Sequence, residues 1–103
     1  MNIKIERNLV ISGAKNLILK CFFSYQSIES ITLEYCKHVI IASIPYLKKL
    51  TLDGCEDITI SGCNFGEVNI KKSRIYNFIF NTVKNLNIDK CSTGVVSNNE
   101  TVE

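Results

Sequence analysis

Cys36, Cys55, Ser73 and Cys91 recur at steps of 19, 18 and 18 residues, the most regular series of potentially nucleophilic side chains in this 103-residue chain. If each step is one turn of a stacked backbone, neighbours in the series stand about 4.8 Å apart, the spacing of hydrogen-bonded strands. That separation lies within reach of a disulfide between Cys36 and Cys55. Nucleophilic catalysis by such a thiol would need a base beside it, and the single histidine, His38, falls on a different edge of the repeat. Packing accounts for all four positions: free cysteine behaves as a small apolar side chain, and serine in the same series points to size as the requirement. A second series, Glu34, Asp53, Lys71 and Asp89, runs two residues ahead of the first. Asp53 and Asp89 would lie about 9–10 Å apart across two turns, near the carboxylate separation of inverting glycoside hydrolysis. Lys71 between them makes the series read instead as an alternating ladder of ion pairs on a solvated edge, each worth a few tenths of a kcal/mol. The five cysteines are an odd number with no C-x-x-C pair, so no metal site and no cofactor is expected.

A repeat positions both series. Leu50-Thr-Leu52-Asp-Gly-Cys55, Val68-Asn-Ile70-Lys-Lys-Ser73 and Leu86-Asn-Ile88-Asp-Lys-Cys91 align without a gap at intervals of 18 residues, and Ile31-Thr-Leu33-Glu-Tyr-Cys36 stands 19 before the first of them. Alternation of apolar and polar residues, rich in Ile, Val and Thr, predicts a strand in each. Val39-Ile-Ile41, Ile58-Thr-Ile60 and Phe78-Ile-Phe80 predict a second strand per repeat. The few residues left between strands are too short for a packed helix. The expected fold is all-β: a right-handed parallel β-solenoid with two facing sheets and coils of about 18 residues. Leu50 and Leu52 should face Ile58 and Ile60 across the interior. Thr32, Thr51, Asn69 and Asn87 should point outward from one sheet, and Ile40, Thr59 and Ile79 from the other. Gly54, Gly62, Gly66 and Asn64 suit corners in left-handed backbone. Pro45 falls in the longest connection, where no ladder donor is lost.

The regular repeat spans 31–91 within a single domain of residues 1–96, followed by a polar tail at 97–103. Nearer the N-terminus, Ile3-Lys-Ile5, Leu9-Val-Ile11 and Leu17-Ile-Leu19 read as strands, but only 14 residues separate Leu17 from Ile31, which predicts a coil shortened or distorted around Phe22, Phe23 and Tyr25. Hydrophobic content of 46% with 21% charged residues is ordinary for a globular chain and excludes wholesale disorder. A net charge of +2 argues against nucleic acid as a partner. Lys48, Lys49, Lys71, Lys72, Arg74, Lys84 and Lys90 could form a basic strip, but Asp53, Asp57, Glu67 and Asp89 are interspersed with them. No apolar run approaches the roughly 18 residues of a spanning helix, and Met1–Arg7 alternates charged and apolar residues, unlike a secretory signal. An intracellular, cytoplasmic protein with reduced thiols and no membrane association is expected. The 15 isoleucines, 11 asparagines and 10 lysines fit an AT-rich coding genome, which keeps a virion as the alternative location.

Ile44-Pro-Tyr-Leu47-Lys-Lys-Leu50-Thr-Leu52-Asp-Gly-Cys55-Glu-Asp-Ile58 resembles a leucine-rich repeat, matching L-x-x-L-x-L-x-x-C/N-x-x-L, and Val83-Lys-Asn-Leu86-Asn-Ile88-Asp-Lys-Cys91 is similar to its central part. The resemblance implies a parallel-strand solenoid that binds partners on an exposed face. The period is shorter than the usual 20–29 residues and the second half reads as strand, so an irregular leucine-rich-repeat solenoid stands as the alternative to the two-sheet form. Either solenoid leaves unpaired backbone at its ends, and no amphipathic helix or proline-rich plug marks either one. A protein partner or a second copy is therefore expected to cover an end, with Thr32, Thr51, Asn69, Asn87, Ile40 and Ile79 as the lateral interaction surface. The expected function is non-enzymatic: a structural or protein-interaction module in a larger assembly, a viral structural component among the options. A leucine-rich-repeat-type recognition module is the alternative, and a carbohydrate-active β-helix enzyme a distant third.

Overall fold

The computed structural model describes residues 7–20 and 28–101. Within them the chain alternates short strands with two-residue corners, apart from a four-residue connection at 43–46. The strands are β1 (Arg7–Ser12), β2 (Lys15–Lys20), β3 (Ile28–Glu34), β4 (Lys37–Ala42), β5 (Leu47–Asp53), β6 (Glu56–Ser61), β7 (Asn64–Lys71), β8 (Arg74–Ile79), β9 (Thr82–Asp89), β10 (Ser92–Ser97) and β11 (Glu100–Thr101). Odd strands form one sheet in the order β1-β3-β5-β7-β9-β11, and even strands a second in the order β10-β8-β6-β4-β2. The pairings are parallel. The fold is a β-solenoid of about five coils, and no helix occurs among the described residues.

Period-two alternation sends one set of side chains inward from each sheet. From the first sheet Leu9, Ile31, Leu50, Val68 and Leu86 stack in register, as do Ile11, Leu33, Leu52, Ile70 and Ile88. From the second, Leu17, Val39, Ile58 and Ile75 oppose them beside Leu19, Ile41, Ile60, Phe78 and Val96. In the middle coils these positions are fully buried, each worth about 1.5–3 kcal/mol of transfer free energy.

The corners explain the 18-residue period. Every turn from an odd strand to an even one is a residue in left-handed backbone followed by a small inward residue: Gly13-Ala14, Tyr35-Cys36, Gly54-Cys55, Lys72-Ser73 and Lys90-Cys91. The return corner likewise begins with a left-handed residue, followed by an inward one of varied size, in Ser43-Ile44, Gly62-Cys63, Phe80-Asn81 and Asn98-Asn99. The single 19-residue step arises at Pro45 and Tyr46. Asn64 N–H bonds the Ile44 carbonyl while Leu47 pairs with Phe65, so one extra residue must fit between.

Four local expectations are corrected. The N-terminal coil is lengthened, not shortened: Leu9 pairs with Ile31 and Leu17 with Val39, both 22 residues apart. Phe22, Phe23 and Tyr25, like Ile3-Lys-Ile5, lie outside the described residues. Phe80 is not inward beside Phe78 but occupies an exposed corner at φ 54°, because Phe78 and Ile79 pair with Ile60 and Ser61, which puts Phe80 level with the corner residue Gly62, while a slip at Tyr76 gives Ile75 the inward place beside Ile58. Gly66 and Asn64 lie within β7, whereas Gly54 and Gly62 have the left-handed backbone expected of all four. Within the segment read as a polar tail, Glu100 and Thr101 pair with Thr82 and Val83.

Candidate functional site

The cysteine series occupies one corner of the coil, with Ala14 as its first member. Each thiol or hydroxyl closes its own turn. Cys36 Sγ donates to the Glu34 carbonyl at 3.5 Å, Cys55 to Asp53 at 3.7 Å, Ser73 Oγ to Lys71 at 2.8 Å and Cys91 to Asp89 at 3.2 Å. Most reach the preceding coil as well, Cys55 to the Leu33 carbonyl at 3.4 Å and Cys91 to Ile70 at 3.4 Å. Ser73 Oγ accepts the Cys55 N–H at 3.0 Å. The column supplies small donors for carbonyls that a two-residue corner would leave bare. Cys36, Cys55, Cys63 and Cys91 are free thiols. Burial pushes the Cys55 and Cys63 thiols up from their ordinary range, which keeps them neutral and weakly nucleophilic at neutral pH.

Glu34, Asp53, Lys71 and Asp89 stack in register on the rim beside this corner. Lys71 Nζ stands 3.8 Å from Asp53 Oδ2, so the cation occupies the space between Asp53 and Asp89. The same cross-coil pairing recurs as Lys37–Glu56 at 3.9 Å and Lys49–Glu67 at 3.5 Å. These exposed pairs contribute little stability, but they place opposite charges on adjoining turns. Among the described residues no group of three or more His, Cys, Asp or Glu side chains could hold a metal ion.

Thr32, Thr51, Asn69 and Asn87 form a single outward column in register, with Val10 above Thr32. The lower part is tied together: Asn87 Nδ2 donates to Asn69 Oδ1 at 2.9 Å, and Asn69 Nδ2 to Glu67 Oε2 at 2.7 Å. That hydrogen bond, with Lys49 beside it, holds the Glu67 carboxyl below its ordinary range. A concavity of about 380 Å³ adjoins the upper part, bounded by Val10, Thr32, Thr51 and Lys49. On the opposite sheet Ile40 is exposed and shares its column with Ile18, Thr59 and Asn77. Ile79 is not in that column. Asn77 stands one 18-residue step beyond Thr59, so Ile79 falls two positions further along, level with Ala42 and Ser61 and half-buried. Ile40 and Ile79 therefore do not form one patch.

Two constellations escaped the sequence reading. Cys63, Asn81 and Asn99 stack at the return corner, where Asn81 Oδ1 accepts the Cys63 N–H at 3.0 Å and Asn99 Oδ1 the Asn81 N–H at 3.0 Å. Their Nδ2 groups donate to the Ile60 and Phe78 carbonyls at 3.1 and 2.9 Å. The signal was available, since Asn81 and Asn99 follow Cys63 at the same 18-residue interval. Asn16, His38 and Asp57 all take left-handed backbone on successive turns of the even sheet. His38 Nδ1 lies 3.3 Å from Asp57 Oδ2, beside exposed Ile18 and Ile40. Asn, His and Asp accept that backbone more readily than most residues, so their types fit the left-handed position they occupy. Comparison of the chain with protein families, curated proteins and solved structures finds no match.

Proposed function

We propose that the chain is a non-enzymatic structural or protein-interaction module whose stacked coils hold a rigid surface in a larger assembly, with a neighbouring protein chain paired against a solenoid end. The supporting observation is the face of the coil formed by β9 and β10. Ile88 is 37% exposed and Val96 43%, whereas Ile70 and Phe78, one turn earlier in the same columns, are 1% and 0% exposed. β10 also stands at the margin of its sheet. An apolar cross-section rimmed by strand edges is the shape that an added parallel strand covers, backbone bonds giving affinity and side chains giving register. The test is mass by light scattering at tens of micromolar, on the chain and on an Ile88→Lys, Val96→Glu variant. Association in the first and a monomer of unchanged β spectrum in the second would support the reading. Monomers in both would overturn it.

One observation favours a second reading, closer to the leucine-rich-repeat resemblance: the concavity beside Thr32 and Thr51 gives the outward column a place for a partner's side chain. On that reading binding is lateral and monomeric. It should survive the end-face variant and be lost when Thr51 is replaced by arginine.

A further inference from the structure

We propose that the corner formed by Lys72, Arg74 and Lys90 binds a multiply charged oxyanion of the phosphate type, either free or carried as a phosphoryl group on a larger ligand. The proposal is independent of what covers the solenoid ends. Lys72 and Lys90 are consecutive members of the left-handed corner column, at φ 51° and 54°, and so sit about 4.8 Å apart along the stack. Earlier coils place Gly13, Tyr35 and Gly54 there, none of them charged. Arg74 opens the next strand, two residues beyond Lys72.

Elsewhere on the described surface the cations Lys37, Lys49 and Lys71 each reach a carboxylate on an adjoining coil. Lys72, Arg74 and Lys90 form no ion pair among the described residues. Like charges directly opposite one another destabilise a stack, and lysine in left-handed backbone is strained where glycine is not. Two unfavourable features thus coincide at one corner, in a chain that pairs three of its other lysines across adjoining coils. An anion between the cations converts the repulsion into attraction.

The space exists. A concavity of about 370 Å³ is bounded by the three cations with Ser73, Ser92 and Glu56. Glu56 is the acidic member, and its carboxylate is engaged by Lys37. The planar guanidinium offers a fork of donors to two oxygens of one anion, and the ammonium groups add point charge. Three positive charges around so small a space favour a dianion or trianion over chloride.

The test is an amide-resolved NMR titration of the full chain with inorganic pyrophosphate, with a phosphoserine peptide, and with sodium chloride at matched ionic strength. Saturable shifts at Gly54, Ser73 and Ser92 are expected with both phosphate ligands and not with chloride. Tighter binding of the peptide identifies a phosphorylated protein as the source, and tighter binding of pyrophosphate a free anion. A Lys72→Gln, Lys90→Gln variant, whose changes are both at exposed positions, should bind at least tenfold more weakly and melt higher than the parent at low salt. Lys49→Gln should bind as the parent does. Shifts that follow ionic strength alone, or equal binding by the double variant, would overturn the proposal.

Discussion

Replacing Asn81 by alanine isolates the amide column at the return corner. The side chain is 1% exposed. Its Oδ1 accepts the Cys63 N–H at 3.0 Å and its Nδ2 donates to the Ile60 carbonyl at 3.1 Å. Alanine strips a partner from one buried donor and one buried acceptor, at about 1–3 kcal/mol each. The carbonyl retains a second lone pair, so the total should be about 2–4 kcal/mol. In a domain near 100 residues that lowers Tm by roughly 10–25 °C. Denaturant unfolding measures the cost, and hydrogen exchange at the Cys63 amide locates it. Asn77→Ala, in the outward column of β8, serves as control and should stay within about 0.5 kcal/mol of the parent. Asn81→Asp adds a sign. Its carboxylate keeps the acceptor but is buried without a cation, so its folded pKa lies above the unfolded value of about 3.9. Stability is then retained below that pH and lost as pH rises past it. A cost below 1 kcal/mol for Asn81→Ala, with Cys63 exchange unchanged, would refute the reasoning.

Thiol modification mapped by peptide mass should label half-buried Cys91 well before Cys55 and Cys63. Burial raises these last two thiols, so their contribution to stability is present below the usual thiol pKa and declines as pH climbs above about 8.5; a melting series from pH 7 to 10 follows it. Gly66→Ala and Gly94→Ala should each cost about 2 kcal/mol or more, because the new Cβ would collide with a backbone oxygen of the adjoining coil, that of Lys48 and of Tyr76 respectively. Gly54→Ala should cost less, since there the obstacle is the Tyr35 ring at 2.7 Å, an exposed side chain that can swing aside, plus about 1 kcal/mol for left-handed backbone. Leu52→Ala, fully buried between Leu33 and Ile70, should cost about 3–4 kcal/mol. Ile88→Ala, 37% exposed, should cost about half of that in the same denaturant assay.

The coil was legible where two periods reinforce one another. Alternation fixes which of Leu50, Thr51 and Leu52 faces inward, and the 18-residue step fixes what lies above and below, so the Thr32, Thr51, Asn69, Asn87 column could be written from residue types alone. The corner cysteines were legible for the same reason. Errors came where backbone conformation breaks a period without a glycine to announce it. Phe80 continues an apolar alternation yet turns a corner in left-handed backbone. Asn77, not Ile79, lies one 18-residue step beyond Thr59, which leaves Ile79 outside the column it was given. Leu9 and Leu17 carry similar patterns, and only the pairing of β1 with β3 shows that Leu9 belongs under Ile31. Asn81 was overlooked because asparagine in a polar corner reads as a surface residue until its hydrogen bonds are seen. The basic corner was hidden among seven cations spread along the chain, and only stacking shows that Lys72, Arg74 and Lys90 share one concavity.

Scalar couplings transmitted through backbone hydrogen bonds report directly on whether turns of this chain lie on one another in parallel. Stacking predicts couplings from the Tyr35 amide to the Asp53 carbonyl, from Gly54 to Lys71 and from Lys72 to Asp89, each partner about one coil further along. Couplings that instead join residues of β5 to β6 or of β7 to β8 across their shared corner, as in antiparallel hairpins, would contradict it.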